Sequence, residues 1–568
     1  MSQLQTLTID GVPVEINGEK NLLELIRKAG IEMPTFCYYS ELSIYGGCRM
    51  CMVENGKGVD AACSTPPRAG MEIRTNTERL RKYRKMILEL LLSNHCRDCT
   101  TCSYSSNCKL QDLARRFNIR DVRFPNTSPT PKIDASSPCI SRDQSKCILC
   151  GDCVRMCDEV QKVGAIDFAR RGSKMSISTA FNVPIADSPC VGCGQCAAVC
   201  PTGAIIVKND VASVWKALDD TTAKASVQIA PAVRVALGKE FGLSNGENVM
   251  GKIVAVLHRM GFEEVYDTST AADLTVLEEA NELIRRLESR AADMPLFTSC
   301  CPAWVQYCEK NYPELLPHVS TCRSPMQMFA SVIKEQGRYS SRRAVHVAVM
   351  PCTAKKFEAS RDEFKTDGVP NVDYVITTQE LIQMIRESGV AFSELESEAV
   401  DMPFGTMTGA GVIFGVTGGV TEAVLRRVST DKSQTALKSI AYIGVRGMEG
   451  VKEASVPYGD KTLRVAVVSG LGNANKLIKR IKEGEHFDLV EVMACPGGCV
   501  SGAGQPFATL AEKAVRGKGL YSADKLCSIK RSEENPLMMA LYNGILKGRV
   551  HELLHVEYGQ ESREEQHG

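Results

Sequence analysis

The spacing C-x2-C-x2-C-x3-C occurs twice in this chain, at Cys147, Cys150, Cys153 and Cys157 and again at Cys190, Cys193, Cys196 and Cys200, with Pro201 directly after the second run. Thiolates at that spacing hold cubane 4Fe–4S clusters, and in paired runs the fourth cysteine of each reaches across to the other cluster. Cys200 is therefore expected to close the first cubane and Cys157 the second. Cross-ligation keeps the two clusters close together, as electron hopping requires. Zinc is the rival occupant of any cysteine-rich loop.

The chain has 25 cysteines, and 17 of them precede residue 201. In an exported protein such a count suggests disulfides. In a cytosolic one, tight groups at C-x2-C spacing indicate metal, and an organism living with little oxygen. Lys+Arg 68 against Asp+Glu 67 leaves a net charge of +1, which argues against a nucleic-acid or polyanion partner. No window approaches about 18 uninterrupted apolar residues, so no membrane span is expected. The start, MSQLQTLTIDGVPVEING, lacks the basic and apolar regions of a secretory signal, and the expected location is the cytoplasm. A chain of 568 residues is too long for one core. Composition and motif shifts place boundaries at 1–79, 80–136, 137–209 and 210–568.

LQTLTI (4–9) and VPVEI (12–16), split by Asp10-Gly11, predict a β-hairpin, and NLLELIRKAG (21–30) predicts a helix closed by Gly30. They lead into Cys37, Cys48, Cys51 and Cys63, where Gly46 and Gly47 let the backbone approach a cluster. This lead-in resembles a β-grasp ferredoxin with a 2Fe–2S cluster, of the kind that begins large hydrogenases and the electron-wire subunit of NADH dehydrogenases. Its first gap holds ten residues, unlike the plant-type loop, and a structural zinc is the rival. The amphipathic stretch 77–94 predicts a helix delivering His95 to Cys99, Cys102 and Cys108. Zinc is the rival for that His/Cys3 set; the resemblance implies a 4Fe–4S cluster with one imidazole ligand and a correspondingly shifted potential. A Pro- and Ser-rich loop at 124–138 separates this region from the eight-cysteine segment, which resembles a bacterial two-cluster ferredoxin.

From about residue 210 the pattern becomes α/β. Buried-strand runs stand at 345–350, 464–468 and 488–493. GLGNANKLIKRI lacks the third glycine and the later acidic residue of a dinucleotide loop, so a plain strand–helix turn is expected. No nicotinamide or flavin site is evident. Three motifs lie in this region: TSCCPAW (298–304), VMPCTAKKFE (349–358) and EVMACPGGCVSGAGQP (491–506). Their cysteines are Cys300, Cys301, Cys352, Cys495 and Cys499, one more than a cubane needs, and two of them follow strand runs directly, where α/β sheets gather ligands. Buried structural cysteines are the plain alternative.

In order and content the three motifs resemble the iron-only (diiron, FeFe) hydrogenases. The resemblance implies a 4Fe–4S cubane on Cys301, Cys352, Cys495 and Cys499, with Cys499 bridging to a diiron unit that carries CO, cyanide and dithiolate ligands. A unit held by one thiolate must be gripped by its surroundings. Lys355 is suited to donate to a cyanide, Met350 and Met493 to form soft walls, and Pro302, Pro351 and Pro496 to stiffen the loops, while Gly497, Gly498 and Gly502 admit close backbone. The plain alternative for Lys355 is a solvated surface lysine. Glu279, Glu282 and Arg286 share a face of a helix expected at 274–290, a pattern that by spacing alone is a solvated salt-bridge face. The resemblance implies instead that Cys300, Glu279, Ser320, Glu282 and Arg286 form a proton path. Two departures stand out: Met326 where many relatives have glutamine, and Ala503 for a common glycine. Cys96, Cys139, Cys308, Cys322 and Cys527 match no motif.

The expected architecture is multidomain α+β and α/β: a β-grasp 2Fe–2S ferredoxin domain, a small His/Cys3 domain, a two-cluster ferredoxin domain and a large two-lobed α/β hydrogenase domain. The implied function is a cytoplasmic hydrogenase catalytic subunit with one 2Fe–2S and three accessory 4Fe–4S clusters feeding the active-site cluster. Several accessory clusters without a nucleotide site imply partners that bind flavin and NAD(P), as in NAD(P)-linked and electron-bifurcating complexes, together with maturation proteins for the diiron unit. A stand-alone ferredoxin-dependent enzyme is the alternative. A hydrogen sensor, which keeps the active-site cluster but lacks the proton-path cysteine, fits less well because Cys300 is present, and an electron-wire subunit of an NADH dehydrogenase would not need the four-thiol set.

Overall fold

The computed structural model describes residues 5–559 apart from 106, 127–132, 290–293, 338–340, 430–432, 434–439, 441–443 and 460. Leu4 of the expected hairpin, the middle of the 124–138 loop and Arg290 of the expected 274–290 helix lie outside the described residues. Two compact units are present. One comprises Met1–Val160, Gly164–Ser188 and Cys196–Ile206, the other Gln161–Val163, Pro189–Gln195 and Val207–Gly568.

The first unit opens with strands Thr6–Ile9 and Val12–Glu15, paired antiparallel. Asp10 and Gly11 both take positive φ (49° and 86°), the geometry a two-residue hairpin turn demands. Glu72–Ile73 adds to the first strand in parallel. Helix Leu22–Lys28, capped by the Asn21 side chain, presents Leu22, Leu23, Leu25 and Ile26 to the core of this sheet. A ribbon of Met52–Glu54 with Val59–Ala61 completes the β-grasp domain. Helix Glu78–Ser93, capped by Thr77, is tied to it by the buried Arg84, which donates to the carbonyls of Met50, Met52 and Thr75.

The second unit contains two four-stranded sheets. In one, Glu264–Asp267, Ala223–Ile229, Arg343–Met350 and Tyr374–Thr377 lie side by side, all parallel. In the other the order is Leu296–Phe297, Leu489–Met493, Lys461–Ser469, Val451–Tyr458, parallel except for the last pair. The three expected strands are present, each within a few residues of its predicted bounds. Ala223–Ile229 escapes a hydrophobicity reading because Ser226 and Gln228 interrupt it. Both are buried, and both are satisfied by His346 on the neighbouring strand: Ser226 Oγ lies 2.9 Å from Nδ1 and Gln228 Nε2 2.8 Å from Nε2.

The helix expected to begin at 274 begins at Ser269 and runs to Ser289. Its first turn, Ser-Thr-Ala-Ala-Asp, looks like a loop in sequence but is anchored from outside. The Asp267 carboxylate accepts from the Ser269 amide at 2.8 Å, and Asp273 accepts from Thr408, Ser532 and Asn535. Helix Leu471–Lys482 follows Gly470, which takes φ 88°, so GLGNANKLIKRI is the strand-to-helix turn expected. Among the described residues no helix is long and apolar enough to cross a membrane.

Candidate active site

The three motifs meet where the two sheets present the carboxyl ends of their strands, the position at which α/β folds collect ligands. Cys352 follows strand Arg343–Met350, Cys495 follows Leu489–Met493, and Cys300 and Cys301 come shortly after Leu296–Phe297. Cys301, Cys352, Cys495 and Cys499 interact electrostatically with one another. Burial, then mutual repulsion, pushes Cys352 up to about 12 and Cys495 and Cys499 in the same direction. Cys300, Cys301, Cys352 and Cys499 nevertheless keep some accessible surface, so they line an internal recess instead of filling a core. The Ala494 amide donates to Cys301 Sγ at 3.4 Å and Gln195 Nε2 to Cys495 Sγ at 3.1 Å.

Backbone crowds this recess. A Cβ on Gly502 would lie 2.1 Å from the Pro351 carbonyl oxygen, and one on Gly498, at φ 88°, 2.5 Å from the Thr417 amide. Ala503 is accommodated, 1 % exposed, so its replacement of glycine costs the loop nothing visible. Pro302 opens helix Pro302–Asn311 with Cys301 as its N-cap. Met493 packs with Cys300 and Cys499, and Met350 sits in the core of the first sheet, as does Met326. Lys355 is buried, not a solvated lysine: Nζ donates to Glu358 at 2.7 Å and to the Cys300 carbonyl at 3.3 Å. Burial alone would lower its pKa, yet Glu358 outweighs it and holds the ammonium above its ordinary value. An ammonium has three donors, so one remains for a ligand.

Among the described residues no group of three or more His, Cys, Asp and Glu side chains could hold a single metal ion. The donor set instead fits a larger iron–sulfur group. Four thiols held up by desolvation, three of them also by their neighbours' charge, ionise readily only when bound cations offset that charge.

Behind Cys300 lies helix Ser269–Ser289. Glu279 is completely buried and neither carboxylate oxygen has a hydrogen-bond partner. Burial, then the charge of Glu282, pushes it up to about 8; the Ser299 amide nearby offsets this only in part. Cys300 is raised by burial and then by Glu279. Glu282 accepts from Ser320 Oγ at 2.8 Å and pairs with Arg286 at 2.6 Å. The face that spacing alone assigns to solvent is therefore interior, with Glu282 only 5 % exposed.

The family comparison agrees with this geometry. Residues 223–503 match the iron-only hydrogenase large subunit, C-terminal domain. Over 99% of its length the chain is 41% identical to the NADP-reducing hydrogenase subunit HndD of Solidesulfovibrio fructosivorans, covering 100% of that protein. The chain belongs to the iron-only hydrogenases.

Iron hydrogenase 1 of Clostridium pasteurianum is 35% identical over 98% of the chain and 100% of its own length. A variant of the FeFe-hydrogenase HydA1 from Chlamydomonas reinhardtii aligns with a TM-score of 0.52 at 37% identity, covering 62% of this chain and 99% of that one. Residues 3–78 match a 2Fe-2S iron-sulfur cluster binding domain, 84–123 the NADH-ubiquinone oxidoreductase-G iron-sulfur binding region and 146–204 a 4Fe-4S dicluster domain. Residues 511–561 match the iron hydrogenase small subunit.

In the first unit of the hydrogenase, Cys37, Cys48, Cys51 and Cys63 stand together. The Cys48 amide donates to Cys37 Sγ at 3.3 Å and the Phe36 amide to Cys48 Sγ at 3.4 Å. A thiol–thiol bond lowers Cys48 and raises Cys37, and Cys51 and Cys63 form a second such pair. Cys108 interacts with Cys102 and Cys99. His95 is buried beside them in sequence, its Nδ1 without a partner. A cavity is lined by Cys147, Cys150, Cys153 and Cys200. Amides of Leu149 and Ala165 donate to the sulfurs of Cys147 and Cys157. Cys196 also lies in this unit; in the second, the Gly192 amide donates to Cys190 Sγ, and Cys193 packs beside Val191.

Sequence reasoning missed Gln195, which carries no motif of its own, and Glu358, three residues beyond Lys355 on the same helix, where i,i+3 spacing was the available signal. It also missed Gln327. Both atoms of that buried amide lack partners, directly after Met326, which stands where many relatives have glutamine.

Proposed function

We propose that this hydrogenase interconverts two protons and two electrons with H2 at a cubane held by Cys301, Cys352, Cys495 and Cys499, with Cys499 also bridging to a diiron unit bearing CO, cyanide and dithiolate ligands. When bound, that group supplies the two-electron chemistry on hydrogen. The protein supplies grip, dryness and protons. Lys355, oriented by Glu358 and the Cys300 carbonyl, would have its third N–H free to donate to a cyanide of that group. Met350, Pro351 and Met493 wall the recess. Cys300 passes protons to and from Glu279, and Ser320 and Glu282 carry them on toward Arg286.

The single observation that carries this reading is Glu279, a carboxyl with no structural partner whose pKa of about 8 lets it hold and release a proton near neutrality. Electrons arrive through one 2Fe–2S cluster on Cys37, Cys48, Cys51 and Cys63 and three accessory 4Fe–4S clusters: on His95, Cys99, Cys102 and Cys108; on Cys147, Cys150, Cys153 and Cys200; and on Cys190, Cys193, Cys196 and Cys157. The full-length match to an NADP-reducing hydrogenase subunit favours a cytoplasmic, NAD(P)-linked complex of the electron-bifurcating kind, with flavin- and NAD(P)-binding partners, over a stand-alone enzyme driven by ferredoxin.

The test is anaerobic hydrogen evolution by protein matured with the diiron cofactor. Reduced ferredoxin and NAD(P)H serve as donors, with and without co-purified subunits. Cys300→Ala is expected to lose nearly all turnover; unchanged turnover would remove the proton path from this account.

A further inference from the structure

The path outward from Glu282 ends on a group that cannot deliver a proton. Arg286 Nη2 lies 2.6 Å from Glu282 Oε1, but a guanidinium does not release its proton in proteins. Arg286 orients Glu282; it does not recharge it. The other oxygen of the same carboxylate faces a different set of groups. Glu282 Oε2 accepts from Ser320 Oγ at 2.8 Å and from the Thr321 amide at 3.2 Å, with Thr321 Oγ1 at 3.5 Å. Thr321 Oγ1 is 2.9 Å from His555 Nδ1, and His555 Nε2 is 3.1 Å from Glu278 Oε2. The Tyr542 hydroxyl bonds the second oxygen of Glu278. His555 is buried, and its ring stacks on that of the exposed His551 with centroids 5.3 Å apart. Its backbone is pinned by Arg323, whose Nε donates to the His555 carbonyl at 2.8 Å, and by a bridge to Cys322.

We propose that Glu278, His555 and Thr321 form a second proton lead that recharges Glu282 from the C-terminal segment. It rests on the proton path proposed above. An imidazole is suited to the task because it accepts at one nitrogen while donating at the other. Glu278 rests ionised, because His555 and Tyr542 outweigh its burial; in one transfer a proton that it takes up from solvent moves on to His555 Nε2. The Nδ1 proton moves to Thr321 Oγ1, and the Thr321 hydroxyl proton moves to Glu282. Glu278 ends ionised, Glu282 neutral, Thr321 unchanged and His555 in its other tautomer, so one proton crosses and nothing else is gained or lost. The ring must turn over or exchange with solvent before the next transfer. The ionisable groups facing His555 are Glu278 and Glu282 from the long helix, Tyr542, Arg323, Cys322 and His551. Of these only Cys322, with Sγ 4.0 Å from Glu282 Oε2, reaches that carboxylate directly, and burial together with the charges of Glu279 and Glu282 holds its thiol proton well above the ordinary range.

The experiment uses the matured full chain and follows hydrogen evolution against pH with the solvent isotope effect. His555→Gln and Thr321→Val are each expected to slow turnover roughly tenfold on the alkaline side, less than the ~10²–10⁴ of a positioned acid–base group, and to raise the isotope effect. On the acid side the loss shrinks, because protons from solvent are abundant. Thr321→Ser returns the hydroxyl and restores the profile. If His555→Gln melts early, Thr321→Val carries the test alone. The double variant should be no slower than either single one. A pH profile superimposable on that of the unmodified enzyme, or additive losses in the double variant, overturns the lead while leaving the hydrogenase reading intact. Failure of the unmodified enzyme to evolve hydrogen would instead sink that reading.

Discussion

The two units of this hydrogenase gather thiols in opposite ways. In the first, each set comes mainly from one loop: Cys37 to Cys63 within the β-grasp domain, and Cys99 to Cys108 just beyond helix Glu78–Ser93. In the second, Cys301, Cys352, Cys495 and Cys499 belong to three distant segments and are brought together only by the ends of two sheets. The loop sets depend on local spacing and on amides aimed at sulfur. The distant set depends on backbone meeting backbone at Gly498 and Gly502, in a recess where every thiol resists ionising. Relay clusters thus need little more than a well-formed loop, whereas the reacting centre needs a folded domain around it.

The largest effect expected is confined to the second unit. Glu279→Gln keeps shape and removes the titrating proton, so hydrogen evolution should fall by about 10²-fold or more at unchanged iron content. Gas chromatography of evolved hydrogen at matched iron loading measures it. Gly498→Ala should come next. A Cβ there meets the Thr417 amide at 2.5 Å on a backbone with φ 88°, a combined cost of ~2 kcal/mol or more. The active-site spectroscopic signals should vanish while those of the first unit persist. Equal loss in both units would break the contrast.

Cys102→Ser probes the other side. It should remove about four iron atoms per chain and slow ferredoxin-driven turnover severalfold, while a small dye that bypasses the accessory clusters still supports evolution. The mildest effect is on stability. Glu279 holds its proton up to about 8 when folded, against 4.5 for the ordinary group. The folded state therefore binds the extra proton, and the stability this gives is complete at low pH and lost as pH rises through 8. Melting temperature should fall between pH 5 and 8 in the unmodified chain and fall less in Glu279→Gln, a difference on the order of a few kcal/mol. Parallel slopes would mean that Glu279 is solvated.

Much of this was legible in advance where chemistry is local. The Asp10-Gly11 turn, the helix that leads to His95, the strands before Cys352 and Cys495 and the i,i+3,i+7 face of Glu279, Glu282 and Arg286 follow from short-range rules. What escaped has a physical reason in each case. The Ser269 turn is helical because Asp273 finds Thr408, Ser532 and Asn535 far along the chain. Strand Ala223–Ile229 tolerates Ser226 and Gln228 because His346 satisfies both. His555 carries no motif, and only the fold sets it beside Thr321.

By itself the sequence determined the kind of chemistry: cysteine number and spacing call for bound metal, and the order of the motifs points to iron–sulfur groups over zinc, since ligand type and reach are covalent facts. Tertiary structure alone decided which carboxyl is left dry and unpartnered, which lysine is buried against its counter-ion, and which of Glu282's two oxygens meets a cation and which a relay. Those outcomes depend on which faces the fold desolvates and on contacts between segments distant in the chain, and spacing along one helix does not say which of its pairs will be buried.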